Sequence, residues 1–142
     1  MDTSHATPAS TIDRLFAATN AHDLEALVAC FAPDYVNETP AHPDRGFRGP
    51  QQVRANWTQL FAGLPDMTCR VRAQVTQGDD VWAEVEMSGT RGDGSRHLAR
   101  GVLVFTVADG LVRRLRFYVE PVDESGSTAD DAVARAVSGG AP

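Results

Sequence analysis

The sequence lacks most of what marks a membrane, nucleic-acid or metal protein. No run approaches the about 18 apolar residues of a membrane helix, and the first ten residues (MDTSHATPAS) hold no basic region followed by an apolar one. No membrane association is expected, and a cytoplasmic location is the expectation. Basic residues are outnumbered, 13 Lys+Arg against 19 Asp+Glu, and a net charge of −6 has the wrong sign for releasing counterions from nucleic acid. Cysteine is confined to Cys30 and Cys69, which sit in helical and strand patterns like small buried apolar residues and call for no disulfide. The 4 histidines never fall at i, i+4 on one helix, so no metal site is expected. A glycine-rich phosphate loop, a Gly-x-Ser-x-Gly elbow and a Cys-x-x-Cys pair are all missing, and no cofactor is implied.

What remains is an ordinary globular composition, 42% hydrophobic and 23% charged, in 142 residues. That length makes one domain with a core large enough to need no staples. The clearest element is Gly101–Glu120, in which Asp109-Gly110 supplies the positive φ of a tight turn between two apolar runs. Its second arm alternates, with Leu115, Phe117 and Val119 on one face and Arg114, Arg116, Tyr118 and Glu120 on the other. Upstream, Ile12, Leu15, Phe16 and Thr19 form one helical stripe, and Leu24, Leu27, Val28 and Phe31 a second behind the N-cap Asp23. Pro33 ends that helix and a short extended piece, 34–39, leads into the breaker-rich loop PAHPDRGFRG. Gly49-Pro50 opens a third helix with Val53, Trp57, Leu60 and Phe61 on its apolar face. After Met67 the period falls to 2 through two further strands, 69–76 and 81–88. Residues 1–10 read as a flexible lead-in, 11–122 as the domain, and 123–142 as a disordered tail with a weak helical turn at most near 130–137.

Helices followed by a short-turned meander give an α+β layout: three N-terminal helices packed on a curved antiparallel sheet. Helices across the concave side of a curled sheet leave a cone closed at one end, a shape suited to small molecules. Parity decides what fills it. Placing Glu84, Glu86, Arg100, Arg114 and Arg116 inside would cost several kcal/mol per unpaired ion. The inward rows are therefore expected to be Ala83, Val85 and Met87, then His97, Ala99, Gly101, Leu103 and Phe105, then Leu115, Phe117 and Val119. The charged face is left for cross-strand Glu/Arg pairs or for a second copy in a homodimer.

The segments Cys30 to Pro40, Phe47-Arg48-Gly49-Pro50 with Val53 and Trp57, Gly89-Thr90, Asp93-Gly94, Asp109-Gly110 and Arg116-Phe117-Tyr118 resemble the nuclear transport factor 2-like superfamily, and within it the SnoaL-like, polyketide cyclase-like proteins. The resemblance spans roughly 11–121. It implies a cone that hosts isomerases, cyclases, dehydratases, epoxide hydrolases and inert binding modules. Ketosteroid isomerases resemble the chain around the second helix and the strand after it. Their base falls here at Thr39, their oxyanion tyrosine near Leu15 and their second aspartate near Leu103, so that mechanism is not expected. An epoxide hydrolase or dehydratase would need an inward Asp-Arg-Asp or Asp-His set that the strands do not carry.

A SnoaL-like cyclase would need an acid/base group in the cone. His97 is the candidate catalytic residue, because imidazole can both take and return a proton near neutral pH. The competing reading is an idle histidine at the sheet edge. Tyr35, Asn37 and Thr39 share one face of the short strand, where Asn37 and Thr39 either hydrogen-bond a ligand oxygen or satisfy buried backbone groups. Trp57 is either core or a wall against the ligand, and Met87, Phe105 and Phe117 would hold an apolar small-molecule body. His42, beside Asp44 and Arg45, either overhangs the mouth of the cone or, the favoured reading, stands in solvent, and His5 and His22 are expected at the surface. Glu38 and Glu120 fall on the outward parity. The expected function is a cofactor-independent isomerase or cyclase working by acid/base steps on an apolar carbonyl or hydroxyl compound. The alternative is a non-catalytic ligand-binding or dimerisation module.

Overall fold

The computed structural model describes residues 6–139. Helix α1, Pro8–Asn20, starts earlier than its apolar stripe suggests, because Thr7 and Ser10 cap it reciprocally: the Ser10 amide donates to Thr7 Oγ1 at 3.0 Å and the Thr7 amide to Ser10 Oγ at 2.9 Å. Residues 1–5 of the expected lead-in lie outside the described residues. Asp23 caps the short α2, Leu24–Val28, as its position before the apolar stripe implies. Phe31 does not continue that helix. It opens strand β1, Phe31–Glu38, where the Val112 amide donates to the Cys30 carbonyl at 2.8 Å and Phe31 lies opposite Val112. A non-local strand pairing has overridden the helical spacing.

The loop holds a 3-10 turn, Pro43–Arg45, and a two-residue strand β2, Phe47–Arg48, before α3, Pro50–Gly63. The meander follows as β3 (Thr68–Gln77), β4 (Asp80–Thr90), β5 (Arg96–Ala108) and β6 (Leu111–Pro121). The six strands order as β2-β1-β6-β5-β4-β3. The sheet is mixed, not purely antiparallel as the short turns alone imply, because β1 runs parallel to β6 in register Asn37 with Leu115 and Glu38 with Arg116. The crossover between them passes through α3 and four strands, long enough for a parallel connection.

The β5–β6 turn has Asp109 and Gly110 both at positive φ, 55° and 71°, the requirement of the tightest hairpins. Arg14 of α1 donates to the Gly110 carbonyl at 2.8 Å and ties that turn to the helix layer. Curl is set at Gly101, where a Cβ would lie 2.1 Å from the Tyr118 carbonyl oxygen; only glycine lets β6 approach this closely. At the other end of α1 the Asn20 amide copies a backbone unit, donating to the Cys69 carbonyl at 3.0 Å and accepting from the Cys69 amide at 2.7 Å. His22, expected in solvent, is half-buried: it stacks on Phe61 at 4.3 Å and hydrogen-bonds the Met67 carbonyl at 2.8 Å.

The expected parity holds. Ala83, Val85, Met87, Ala99, Leu103, Phe105, Leu115 and Val119 are buried against α1 and its neighbours, while the opposite face carries ion pairs such as Arg100 with Glu86 at 2.7 Å and Arg114 with Glu38. The tail departs from expectation. Helix α4, Ala129–Ser138, forms behind a Thr128–Asp131 capping box and ends on Gly139 in the left-handed region, with every one of its residues exposed. Residues 140–142 of the tail lie outside the described residues. Among the described residues no helix is long and apolar enough to cross a membrane.

Candidate functional site

Between the helices and the concave face lies a cavity of about 400 Å³, within the range of small-molecule pockets. Its wall contains Tyr35, Asn37, Thr39, Trp57, Met87, His97, Phe105 and Phe117, so all the residues singled out in the sequence reach one space. Aromatic packing makes the inner end rigid. Phe16 meets Phe105 edge-on at 6.0 Å, and Phe31 meets Tyr35 at 4.7 Å. Trp57 is half-buried, leaning on Phe61 at 5.5 Å and lining the cavity.

The polar groups in this apolar wall are few and specifically placed. Tyr35 is 1% exposed, and its hydroxyl donates to Asn37 Oδ1 at 2.9 Å. Burial pushes the Tyr35 phenol well above its usual range, so it keeps its proton and goes on donating to Asn37. With Oδ1 occupied, the Asn37 amide nitrogen is left without a partner among the described residues, in a side chain that lines the cavity. Thr39, 6% exposed, has a hydroxyl with no hydrogen bond among the described residues in the same wall. Asn37 near the end of β1 and Thr39 just past it, where the expected strand has already stopped, bring two free donors to one wall, a ready site for a carbonyl or hydroxyl oxygen.

The mouth carries the ionisable groups. His97, at the start of β5, faces the cavity with its Nδ1 at 3.5 Å from an Arg91 guanidinium nitrogen, too long for a strong bond. Arg45 and Asn56 also reach the wall. Parity missed one residue: Glu120 lines the cavity, and its Oε1 lies 2.7 Å from His42 Nε2. Glu120 is the penultimate residue of β6, where alternation loosens, and no local signal connects it to a histidine 78 positions away. His42 is correspondingly held by a partner instead of standing free in solvent. Cys69 also faces the cavity, but burial pushes its thiol up to about 12, so it is no nucleophile. Among the described residues no group of three or more His, Cys, Asp and Glu is arranged to hold a metal ion.

The model of a protein family described as a SnoaL-like domain matches residues 12–115. The chain belongs to the SnoaL-like family. No curated protein matches the sequence. Among solved structures, this SnoaL-like domain is 26% identical to IdmH of Streptomyces antibioticus, a proposed polyketide cyclase, over 80% of this chain and 91% of that one, with a TM-score of 0.69. It is 22% identical to Rv0760c of Mycobacterium tuberculosis, solved with estradiol-17β-hemisuccinate, over 79% of this chain and 93% of that one at a TM-score of 0.69. An NTF2-like protein of Cytophaga hutchinsonii, 13% identical over 84% of this chain and 95% of that one, superposes with a TM-score of 0.65. The last two likenesses establish the NTF2-like cone and nothing about chemistry. Phe117 and Glu120 lie past the end of the SnoaL-like match, in the part of β6 that completes the mouth of the cavity.

Proposed function

We propose that this SnoaL-like domain binds a small apolar ketone or hydroxy compound and moves its protons by acid/base steps without a cofactor, as an isomerase or cyclase. The observation that carries the reading is the Tyr35–Asn37–Thr39 arrangement, a pair of unpartnered donors facing an apolar cavity with imidazole at its mouth. In this reading Trp57, Met87, Phe105 and Phe117 hold the body of the substrate, and the Asn37 amide and Thr39 hydroxyl take its oxygen. Charge that develops on that oxygen as an enolate forms is then stabilised by donors already aimed at it. The chain contains no lysine, so an iminium route to the same carbanion is closed and activation falls to hydrogen bonds. His97 relays the proton between the cavity and water. Support comes from IdmH, itself a proposed polyketide cyclase, and from Rv0760c, which was solved in complex with a steroid ester.

The test uses 2-tetralone, a fused-ring ketone with activated α-protons, in D2O. Wild-type protein should bind it and accelerate exchange of those protons, followed by loss of their NMR signal. Binding without acceleration would replace the enzyme with a ligand-binding module.

The partner on the convex face is proposed to be a second copy. Trp82 and Tyr118 stand 42% and 43% exposed there, and Arg116 beside them has no ion pair among the described residues. The two buried free thiols, Cys30 and Cys69, fit the reducing cytoplasm proposed for the protein.

A further inference from the structure

The loop between β1 and β2 brings an unneutralised cation to the cavity. Asn37 pairs with Phe47 across the two strands, and both line the cavity. Two residues farther along each chain the same face holds Thr39 on one side and Arg45 on the other, and these line the cavity too. Backbone hydrogen bonds fix the turn that joins them: the His42 amide donates to the Thr39 carbonyl at 2.8 Å, and the Arg45 amide to the His42 carbonyl at 2.9 Å. Elsewhere in the fold Arg54, Arg100, Arg113 and Arg114 each hold a carboxylate. Arg45 does not. It is the one arginine in the cavity wall, and among the described residues its guanidinium has neither an ion pair nor a hydrogen bond. Glu120, the one carboxylate in that wall, is engaged by His42 at 2.7 Å instead. A second donor comes from α3, which lines the cavity with Val53, Asn56, Trp57 and Leu60 at i, i+3, i+4 and i+7. Asn56 is the one polar residue of that stripe. Gln52 Nε2 donates to its Oδ1 at 2.7 Å, so the Nδ2–H donors are the free end of the amide.

We propose that Arg45, assisted by Asn56, is a carboxylate site at the mouth of the cavity, and that the ligand is therefore an apolar keto or hydroxy acid. This rests on the reading that Asn37 and Thr39 take a ketone or hydroxyl oxygen. A guanidinium presents a planar fork of N–H donors that matches the two oxygens of a carboxylate, and the Asn56 amide adds a donor with no charge to oppose it. Because Arg45 is exposed, the carboxylate meets it at the rim and keeps part of its hydration, while the apolar body of the ligand goes inside. A phosphate dianion suits the site less well, since the wall sets one guanidinium against the Glu120 carboxylate and the whole chain carries −6. The row advances about 7 Å from Asn37 to the level of Thr39 and Arg45, the rise of two strand residues. A γ-keto acid separates its carbonyl from its carboxylate on that scale.

The experiment is calorimetric titration of full-length protein at low ionic strength with 3-(2-naphthoyl)propionate, an aromatic γ-keto acid, and with its methyl ester, which keeps the ketone and the rings but not the charge. Wild type should bind the acid at least about tenfold more tightly than the ester, the scale of a hydrogen bond to a charged group, and added salt should narrow the ratio. Arg45→Gln should erase the preference, Arg45→Glu should reverse it, and Arg45→Lys, which keeps the charge without the fork, should retain part of it. Arg48→Gln, in the same loop but outside the cavity wall, should keep the wild-type ratio. Asn37→Ala should weaken acid and ester by the same factor. Equal affinities for acid and ester in wild type, or a preference that survives Arg45→Gln, would overturn the carboxylate site while the ketone reading stands. A preference lost in Asn37→Ala would place the carboxylate on the Asn37 amide and overturn it too. Arg45-dependent binding of 2-naphthyl phosphate tighter than that of the keto acid would overturn the class of ligand. Binding of neither naphthoyl compound would end both the site and the reading beneath it.

Discussion

Replacing Tyr35 with phenylalanine removes one oxygen atom from a side chain that is 1% exposed, and the consequences divide between stability and chemistry. The Tyr35 hydroxyl donates to Asn37 Oδ1 at 2.9 Å, so the substitution leaves a carbonyl oxygen short of a partner in the cavity wall. A partly buried group left unpaired costs about 2 kcal/mol, which at about 4 °C per kcal/mol lowers Tm by roughly 8 °C. The chemical effect follows from the amide's freedom to rotate. In wild type the tyrosine hydroxyl donates to Oδ1, and turning the amide over would make the phenol oxygen, a weaker acceptor than the amide oxygen, take the Nδ2–H instead, so the nitrogen stays toward the cavity. Without the hydroxyl the two orientations are nearly equal, so the floor is about a twofold loss, and loss of the fixed angle carries it toward about tenfold. The assay is a double-mutant cycle in 2-tetralone exchange. Asn37→Ala alone should cost about 100-fold, as expected for one oxyanion donor, and adding Tyr35→Phe to it should cost nothing further. If Tyr35→Phe cost the same factor with and without Asn37, the claim that the phenol acts by aiming the amide would be refuted.

Three further outcomes follow from the same structure. His97→Ala should slow exchange at least about tenfold while leaving Tm within a few degrees, with added imidazole restoring part of the rate; an unchanged rate would remove His97 from the proton relay. Gly101→Ala should destabilise the fold by more than about 4 kcal/mol in chemical denaturation, since its Cβ would meet the Tyr118 carbonyl oxygen at 2.1 Å; a small effect would place the bend of the sheet elsewhere. Trp82→Glu should convert a dimer to a monomer in light scattering without altering ketone binding, and a wild-type protein that is monomeric at high concentration would refute the convex-face interface.

The cone was legible because parity and local turn chemistry agree. Asp109-Gly110 defined the hairpin, and the cost of burying Glu84, Glu86 and Arg100 decided which face looks inward. The same parity brought His97, Phe105 and Phe117 to the cavity that Tyr35 and Asn37 enter from β1 and Thr39 from the residue after it. The parallel pairing of β1 with β6 was not legible, since no residue near Phe31 records a partner some 80 positions on, and the helical spacing of Phe31 pointed the other way. Helix α4 did carry a signal, Thr128-x-x-Asp131, that composition rich in Asp, Ser and Gly obscured. Glu120 escaped because alternation is a rule for strand interiors. At the penultimate residue, with its register partner Arg100 engaged by Glu86, the side chain was free to turn toward His42.

The central claim, that the Asn37 amide and Thr39 hydroxyl hold the ligand's oxygen inside an apolar cone, is tested most directly by the carbonyl stretch of bound 2-tetralone in isotope-edited difference infrared spectroscopy. The account predicts a band shifted to lower frequency than in an apolar solvent, moving back upward in Asn37→Ala and again in the Asn37→Ala/Thr39→Val pair. A bound ketone whose carbonyl band matches that in hexane, or does not respond to either substitution, would contradict it.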